Sequence, residues 1–462
     1  MSSSSPLRAI LSEAVASLSL PTILADRLTL AGEESLPSCF LVTDLAAAAI
    51  GAAGIAVSDL LGADGPALPV AVDRHLASAW FLSSLRPQGW NIPAPWDPIA
   101  GDYRAADGWI RLHTNASHHR EAALSVLGCA GEREAVAAAV SRLAADDLEA
   151  AVLRAGGCAA TMRDMLAWQA HPQGQAVRAE PLIALEETTA PPLSWRPDPT
   201  RPLAGIRVLD LTRILAGPVA TRFLAGLGAA VLRIDPPGWE EPSLAPDVTP
   251  GKRCARLDLR QAEDRRRFEA LLAGAHILVH GYRPGALDAL GLGAAERRRI
   301  NPGLIDVSLC AYGWTGPWAG RRGFDSLVQM SSGIAAAGMV WKGTSQPVPL
   351  PAQALDHATG YLMGAAALRG LTARLRNGRA LTARLSLART ACTLTAVAGL
   401  AQGSDSTGRR DEDFAPETEE TAWGPALRLR SPLLVGGTPL HWNCPASKLG
   451  SAEASWDGGM VE

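Results

Sequence analysis

A short turn at residues 215–218 joins a predicted strand to a predicted helix in a way that suits anion binding. It reads Leu-Ala-Gly-Pro and follows an apolar run at 206–211 that predicts a β-strand. Proline fits the first turn of a helix, and the unpaired backbone N–H groups there can hold an anionic or nucleotide group. An ordinary strand-to-helix turn can have the same residues, so the turn by itself leaves both interpretations open.

A glycine pair, Gly226 and Gly228, matches part of a dinucleotide-binding G-x-G-x-x-G fingerprint. The third glycine of that fingerprint is missing, and the pair stands after a predicted helix and before a predicted strand. A phosphate-binding loop needs its glycines after a strand and at a helix N-terminus. The pair therefore indicates the end of a helix, and a nicotinamide or flavin enzyme is disfavoured.

Asp44 and Asp356 each stand at the start of a helix that is rich in small residues. After each helix come a glycine-containing turn, an Ala-Leu pair at 67–68 or 380–381, a short strand and another helix. This shared order of elements predicts an internal duplication. An aspartate at such a position often only caps its helix, so the surrounding sequence must decide whether it has a chemical role.

Composition limits the classes of protein to which the chain can belong. Of its 462 residues, 47% are hydrophobic and 19% are charged, which predicts globular domains with sizeable cores. The 43 basic and 46 acidic residues give a net charge of -3, and therefore no electrostatic reason to expect nucleic acid or an anionic membrane as a partner. Seven cysteines without a C-x-x-C pair disfavour a disulfide framework and a zinc cluster.

The N-terminal residues show no basic region followed by an apolar run, so no secretory signal is predicted. The longest charge-free apolar run, at 45–57, is shorter than the ~20 residues that a membrane-spanning helix needs. We therefore expect a soluble cytoplasmic protein without a bound metal.

Strand and helix patterns alternate after a proline-rich stretch at 186–202. Strands are predicted at 206–211, 230–235, 275–279 and 304–310, and helices at 217–227, 261–273, 285–290 and 294–300. This alternation is typical of a parallel sheet with crossover helices. Before the proline-rich stretch, the patterns predict a smaller α+β unit, with a helix at 44–62, a hairpin at 101–114 and helices at 119–127, 131–144, 146–155 and 161–169.

These patterns divide the chain into six predicted parts. They are an N-terminal segment at 1–35, a unit at 36–185 that contains the small domain, a proline-rich linker at 186–202, a parallel-sheet domain at 203–400, an acidic loop at 401–425 and a C-terminal tail at 426–462.

Seven sequence blocks in the second half of the chain resemble the family III CoA-transferases. In chain order they read LAGIRVLDLTRILAGP, LGAAVLRIDPPG, GKR with LDLR, YRPGALDALGL, NPGLIDVSL, YGWTGP and GFDSLVQMSSG. Their order and spacing match the family from residue 203 to about residue 390. The resemblance implies an α/β protein with a Rossmann-like parallel-sheet domain, a smaller α+β domain and the family III CoA-transferase fold.

The resemblance extends to the ends of the chain in a rearranged order. Residues 40–180 resemble the second half of the family's sequence, and residues 426–451 resemble its C-terminal tail. The chain therefore resembles a tandem of two incomplete copies. Because family members are interlocked dimers, we expect either a homodimer, with or without an interlock, or one chain that combines parts of both copies.

The resemblance also implies the chemistry and its residues. Such enzymes use an aspartate as the nucleophile on an acyl-CoA thioester. The reaction passes through an anhydride and an aspartyl-CoA thioester. By motif position the nucleophile falls on Asp356, and Asp325 has a supporting role at the same site. The implied coenzyme A contacts are Leu215, Ala216, Leu257, Arg260, Gly281, Tyr282, Arg283, Arg322 and Phe324. The implied partners are an acyl-CoA and a carboxylic acid, with no permanently bound cofactor.

Two other functions compete with CoA transfer. An α-methylacyl-CoA racemase needs an acid/base pair, and members of that branch have Gly-His-Asp where this chain has Phe324 before Asp325. A non-catalytic CoA-binding protein is the third hypothesis, because each copy is incomplete and the family's asparagine positions are changed, for example to Gly281. Asp44 occupies the nucleophile position of the first copy, and we expect it to be structural.

Overall fold

The computed structural model describes residues 5–62, 67–397, 399 and 409–457. The first part of the chain is helical, with three short strands. Its elements are α1 Pro6–Ser17, β1 Leu28–Ala31, α2 Val42–Leu61, β2 Val70–Asp73, α3 Arg74–Leu82 and β3 Leu85–Pro87. The predicted helix at 44–62 is confirmed as α2.

The small domain follows and has a hydrophobic core of its own. Its elements, together with the strand that follows them, are β4 Gly101–Arg104, β5 Trp109–Leu112, α4 Ser117–Leu127, α5 Arg133–Val140, α6 Ala145–Arg154, β6 Ala159–Thr161, α7 Met165–Ala170, α8 Pro172–Ala179 and β7 Ala184–Thr189. The predicted hairpin is confirmed as the antiparallel pair β4–β5. The helix predicted at 161–169 is wrong at its start, because β6 pairs with β5 there and the helix begins only at Met165.

The Rossmann-like part alternates strands and helices as the sequence predicts. Its elements are β8 Arg207–Leu211, α9 Ala216–Gly226, β9 Ala230–Asp235, α10 Ala245–Val248, β10 Lys252–Arg256, α11 Ala262–Ala273, β11 Ile277–His280, α12 Ala294–Ile300, β12 Ile305–Cys310, α13 Asp325–Ser331, α14 Ile334–Lys342, α15 Ala354–Asn377, β13 Arg379–Ser386 and α16 Leu387–Ala396. Six of the strands form a parallel sheet in the order β10-β9-β8-β11-β12-β13, and β7 adds an antiparallel edge. The molecule is therefore a mixed α/β protein.

The strand β7 corrects the predicted linker at 186–202. Residues 184–189 contain no proline and pair antiparallel with β13 at the edge of the large sheet. Proline excludes a strand only where it stands, so the irregular connection begins at residue 190.

The predicted acidic loop at 401–425 is wrong over its second part. After a short 3-10 turn at Asp411–Asp413, the chain forms β14 Phe414–Thr421, β15 Gly424–Leu429, β16 Leu433–Val435 and β17 Thr438–Pro439. The acidic residues of β14 lie mostly on the solvated face of an antiparallel hairpin, where a strand can be polar. Residues 401–408 lie outside the described residues.

Strands are exchanged between the two parts of the chain in a reciprocal way. β13 lies between the parallel strand β12 and the antiparallel strand β7, which comes from the first part. In the same manner, β2 lies between the parallel strand β1 and the antiparallel strand β16, which comes from the C-terminal part. Each part of the chain thus completes a sheet of the other.

The helices α2 and α15 pack against each other at the centre of one continuous hydrophobic core. α2 is long and apolar enough to span a membrane on length and composition, with a mean hydropathy of 1.6. However, 89% of that helix window is buried, and it packs against α1, α3 and α15. Its apolar character is accounted for by its place in the core.

Candidate active site

Asp356 lies in the wall of a cavity with a volume of about 380 Å³. The helix α15 begins at Ala354, so the Asp356 carboxyl group is in its first turn. The helix dipole favours a negative charge at that position. The residue is only 7% exposed, which limits its contact with water to the cavity side.

Segments that are distant in sequence surround this cavity. They include the turn between β8 and α9, the loop after β11, the residues before α13 and the start of α4 in the small domain. The first three lie at the carboxyl ends of strands or at helix starts of the Rossmann-like part, where α/β proteins bind ligands. The small domain reaches the cavity because a hydrophobic cluster, which includes Cys158, Leu327 and Met330, packs β6 against α13.

Asp325 lies directly behind Asp356 and is fully buried. One of its carboxylate oxygens accepts a hydrogen bond from the Asp356 backbone N–H at 2.9 Å, and the other accepts one from the Gln329 amide. Asp325 does not line the cavity. Its place is therefore that of a support for the start of α15.

The two carboxyl groups influence each other's protonation. Burial raises the pKa of Asp325 to about 6. Burial also raises the pKa of Asp356 well above its usual value, and the nearby charge of Asp325 raises it further. The pair therefore holds a proton at pH values where an exposed aspartate is ionised.

The structure brings most of the predicted site residues to this one cavity. Those that line it together with Asp356 are Leu215, Ala216, Gly281, Tyr282, Arg283, Arg322 and Phe324. Leu257 and Arg260 do not line it. Leu257 is buried in the core beside the large sheet, and Arg260 lies at the surface, where it pairs with Asp258 at 2.8 Å.

The cavity wall is rich in positive charge. The guanidinium groups that line it belong to Arg213, Arg283, Arg321 and Arg322, and Asp356 is the only carboxylate among the described lining residues. Arg321 is neutralised by Glu149 at 2.8 Å. The excess of guanidinium groups suits an anionic ligand, since arginine binds phosphates and carboxylates through paired hydrogen bonds.

Several lining residues escaped the sequence analysis, namely Arg213, Trp239, Arg321, His118 and His119. Arg213 stands in the same turn as Leu215, so its position next to the anion-binding turn was a usable signal. His118 and His119 belong to α4 of the small domain, far in sequence from the other lining residues. Only the packing of the two domains places them at the cavity.

Two histidines contact Phe324, which occupies the position of the racemase histidine. The His113 ring stacks on Phe324 with the ring centres 3.8 Å apart, and the His119 ring lies edge-on at 6.0 Å. Burial lowers the pKa of His113 to about 3 and that of His119 to about 4. Both imidazoles are therefore neutral and weakly basic at pH 7.

Asp44, in the corresponding first turn of α2, has different surroundings. Its carboxylate pairs with the Arg74 guanidinium at 2.7 Å. A larger cavity, of about 1040 Å³, lies beside β2, β14 and β16, and contains neither Asp44 nor any predicted site residue. Among the described residues, no group of three or more His, Cys, Asp or Glu side chains could hold a metal ion.

Comparison with known proteins gives a family for the part of the chain that forms this site. Residues 203–422 match the model of CoA-transferase family III. This part of the chain, slightly less than half of its length, is therefore similar to that family. The match covers the turn before α9, the loop after β11, Phe324, Asp325 and Asp356, so most of the cavity wall lies inside it.

Similar proteins are found among named transferases. A probable fatty acyl-CoA transferase of Mycobacterium tuberculosis is 35% identical over 195 residues, which are 39% of this chain and 49% of that protein. A succinyl-CoA:glutarate CoA-transferase of Mus musculus is 33% identical over 40% of this chain and 45% of its own length. The crystal structure of the mycobacterial protein is 33% identical over 43% of this chain and 58% of its own, with a TM-score of 0.40. The chain thus spans about half the length of these curated family members.

Proposed function

We propose that the protein is an acyl-CoA:carboxylate CoA-transferase and that Asp356 is its nucleophile. The observation that carries the proposal is the position of Asp356, which is the only carboxylate among the described residues lining an arginine-rich cavity. A carboxylate can attack a thioester, and the surrounding guanidinium groups suit the phosphates of coenzyme A. The acyl-CoA and the acceptor acid are therefore the proposed partners.

The proposed reaction exchanges a thioester for an anhydride and back. The Asp356 carboxylate attacks the thioester carbonyl, the C–S bond breaks and CoA leaves as a thiolate. The thiolate then attacks the Asp356 carbonyl, which releases the donor acid and leaves an aspartyl-CoA thioester. The acceptor carboxylate attacks this thioester, which breaks the C–S bond, releases the CoA thiolate again and forms a second anhydride. The thiolate attacks the acceptor carbonyl, which gives the new acyl-CoA and frees the Asp356 carboxylate.

Asp356 must be ionised for this chemistry, although burial and Asp325 raise its pKa. The helix N-terminus opposes that effect, since it favours the anion. We therefore expect the rate of transfer to increase with pH as the Asp356–Asp325 pair loses its last proton. The buried carboxylate would be poorly solvated, which also makes it a stronger nucleophile than an exposed one.

A direct test is to trap the intermediate. The enzyme is incubated with a panel of acyl-CoAs and hydroxylamine, and its peptides are analysed by mass spectrometry. We expect a hydroxamate on the peptide that contains Asp356. Asp356→Asn should lower CoA exchange by orders of magnitude, because an amide is a poor nucleophile. The matched control is Asp44→Asn, in the corresponding turn of α2, which should retain exchange.

Two outcomes would overturn the proposal. CoA binding without exchange across the panel, unchanged by Asp356→Asn, would support a non-catalytic CoA-binding protein. Incorporation of solvent deuterium at the α-carbon of a branched acyl-CoA would support the racemase alternative. The racemase is disfavoured because Phe324 cannot carry a proton and its histidine neighbours are weak bases.

The cytoplasmic location and the homodimer stay predictions. All seven cysteines are free and lie within the described residues, as expected in a reducing compartment. The duplication is supported by the reciprocal strand exchange, in which β7 completes one sheet and β16 completes the other.

A further inference from the structure

Ile214 has a backbone conformation that its side chain disfavours. Its φ angle is +67°, in the left-handed region that β-branched residues rarely adopt. The residue lies between β8 and α9, lines the cavity and directly precedes Leu215 and Ala216. Such a conformation persists only where the surrounding structure holds it, and it is frequent at ligand-binding turns.

The Glu241 carboxylate is the group that holds this turn. One of its oxygens accepts hydrogen bonds from the Ile214 backbone N–H at 2.7 Å and from the Trp239 indole N–H at 2.8 Å. The other oxygen accepts a hydrogen bond from Arg233 at 2.8 Å. Glu241 is 4% exposed and Arg233 is fully buried. The buried Arg233 guanidinium therefore fixes the Glu241 carboxylate on the side opposite Ile214 and Trp239.

The Glu241 carboxylate also fixes one of the neighbours of Arg213, because it holds the indole N–H of Trp239. The Arg213 guanidinium lies 5.0 Å from the centre of the Trp239 ring and 5.3 Å from that of Tyr282, whose hydroxyl accepts a hydrogen bond from it at 3.1 Å. Arg213 forms no ion pair with a described residue, and it lines the cavity. Its guanidinium is thus held between two aromatic rings with its charge available to a ligand.

We propose that Glu241 is a positioning residue, which holds Ile214 in its left-handed conformation and so presents Arg213, Leu215 and Ala216 to the anionic half of coenzyme A. The proposal rests on the proposed function, because it takes coenzyme A as the ligand of this cavity. Glu241 itself does not line the cavity, whereas Ile214 and Trp239, whose N–H groups it binds, do.

The test is a double-mutant cycle on the full chain, read as the dissociation constant of coenzyme A by calorimetry. Glu241→Gln removes the negative charge that pairs with Arg233 and weakens the hydrogen bond from the Ile214 backbone N–H. We expect about a tenfold loss of CoA affinity, equivalent to ~1.4 kcal/mol. Glycine adopts a positive φ without strain, so in an Ile214→Gly background the same substitution should cost about twofold or less.

The neighbouring substitution Glu240→Gln is the matched control. Glu240 pairs with Arg256 near the surface, and its loss should leave CoA affinity unchanged. If Glu241→Gln does not fold by circular dichroism, Glu241→Asp is used in the same cycle, because it keeps the charge beside Arg233 but is one methylene shorter.

The outcomes separate this proposal from the proposed function. An equal loss of affinity in both backgrounds, or no loss at all, would overturn the proposal that Glu241 acts by holding Ile214, while CoA binding by the parent protein stands. A parent protein that binds no coenzyme A would instead overturn the proposed function. Positioning also predicts that the transfer reaction changes mainly in KM for acyl-CoA and less in kcat.

Discussion

Asp356 and Asp325 have the same side chain and different neighbours. Asp325 has a hydrogen-bond donor on each oxygen, whereas Asp356 faces the cavity. Burial raises the pKa of both carboxyl groups, and the charge of Asp325 raises the pKa of Asp356 further. A carboxylate nucleophile must be ionised at the pH where the enzyme works. The folded site therefore has to keep a negative charge on a buried Asp356, although burial disfavours the ionised form. Active sites commonly reduce stability in this way.

Replacing Asp356 by asparagine should therefore stabilise the protein at high pH. A carboxyl group with a raised pKa binds its proton more tightly in the folded state, so the free energy of unfolding falls as pH rises from about 4 through the folded pKa values. Asp356→Asn removes the part of this loss that comes from the Asp356 carboxyl group. We expect the variant to match the parent at pH 4 and to be more stable than the parent at pH 8.

Urea unfolding at the two pH values measures this difference. Asp44→Asn serves as the control, because Asp44 is paired with Arg74 and its loss should not stabilise the protein at pH 8. If Asp356→Asn were less stable than the parent at pH 8, the raised pKa of Asp356 would be contradicted.

The helix α15 approaches α9 so closely that Gly360 has no room for a side chain. A Cβ atom at Gly360 would lie 2.4 Å from the Ala216 backbone oxygen and 2.8 Å from Val219. Ala216 belongs to the cavity turn, so this contact ties the position of the Asp356 helix to that of the proposed CoA-binding turn. The two halves of the site are thus set by the packing of two helices.

Gly360→Ala should push the two helices apart and weaken CoA binding. Overpacking of this kind costs about 1–3 kcal/mol of stability, and here it also displaces the Ala216 turn. Gly364→Ala is the control, since its Cβ would meet Phe223 at 2.7 Å on the same helix but farther from the cavity. We expect both variants to lose stability in thermal melts, and only Gly360→Ala to lose CoA affinity in calorimetry. Equal affinity losses would contradict the link between Gly360 and the turn.

Most of the elements that the sequence predicts between residues 206 and 310 lie within two residues of their predicted positions, because continuous apolar runs and short loops mark buried parallel strands clearly. The exception is the helix predicted at 285–290, where only a 3-10 turn at Asp288–Leu290 forms. The strands β7 and β14 escaped prediction, since both are polar edge or hairpin strands without an apolar run. Sequence motifs pointed to Asp356 and to the turn at Leu215. They could not reveal the small-domain histidines or Glu241, which reach the site only through tertiary packing.

Two strand pairings join the distant parts of the chain in a reciprocal way. β7, from the first part, pairs with β13, and β16, from the last part, pairs with β2. α2 and α15 pack together between the two sheets. Such pairings are what we expect if one chain combines parts of two incomplete copies. The irregular connection from residue 190 to the start of β8 carries none of these pairings.

Cutting this connection should therefore leave the molecule whole. A protease site is inserted after Pro197, in a stretch where the neighbouring residues are mostly exposed. After cleavage we expect the two fragments to elute together in size exclusion, because each fragment completes a sheet of the other and the helices α2 and α15 remain buried against each other. Urea should separate them, which controls for complete cleavage. CoA binding should survive, since His119 comes from one fragment and Asp356 from the other, and both stay at the cavity. Fragments that separate under native conditions would show that the connection, rather than the exchanged strands, holds the two parts of the molecule together.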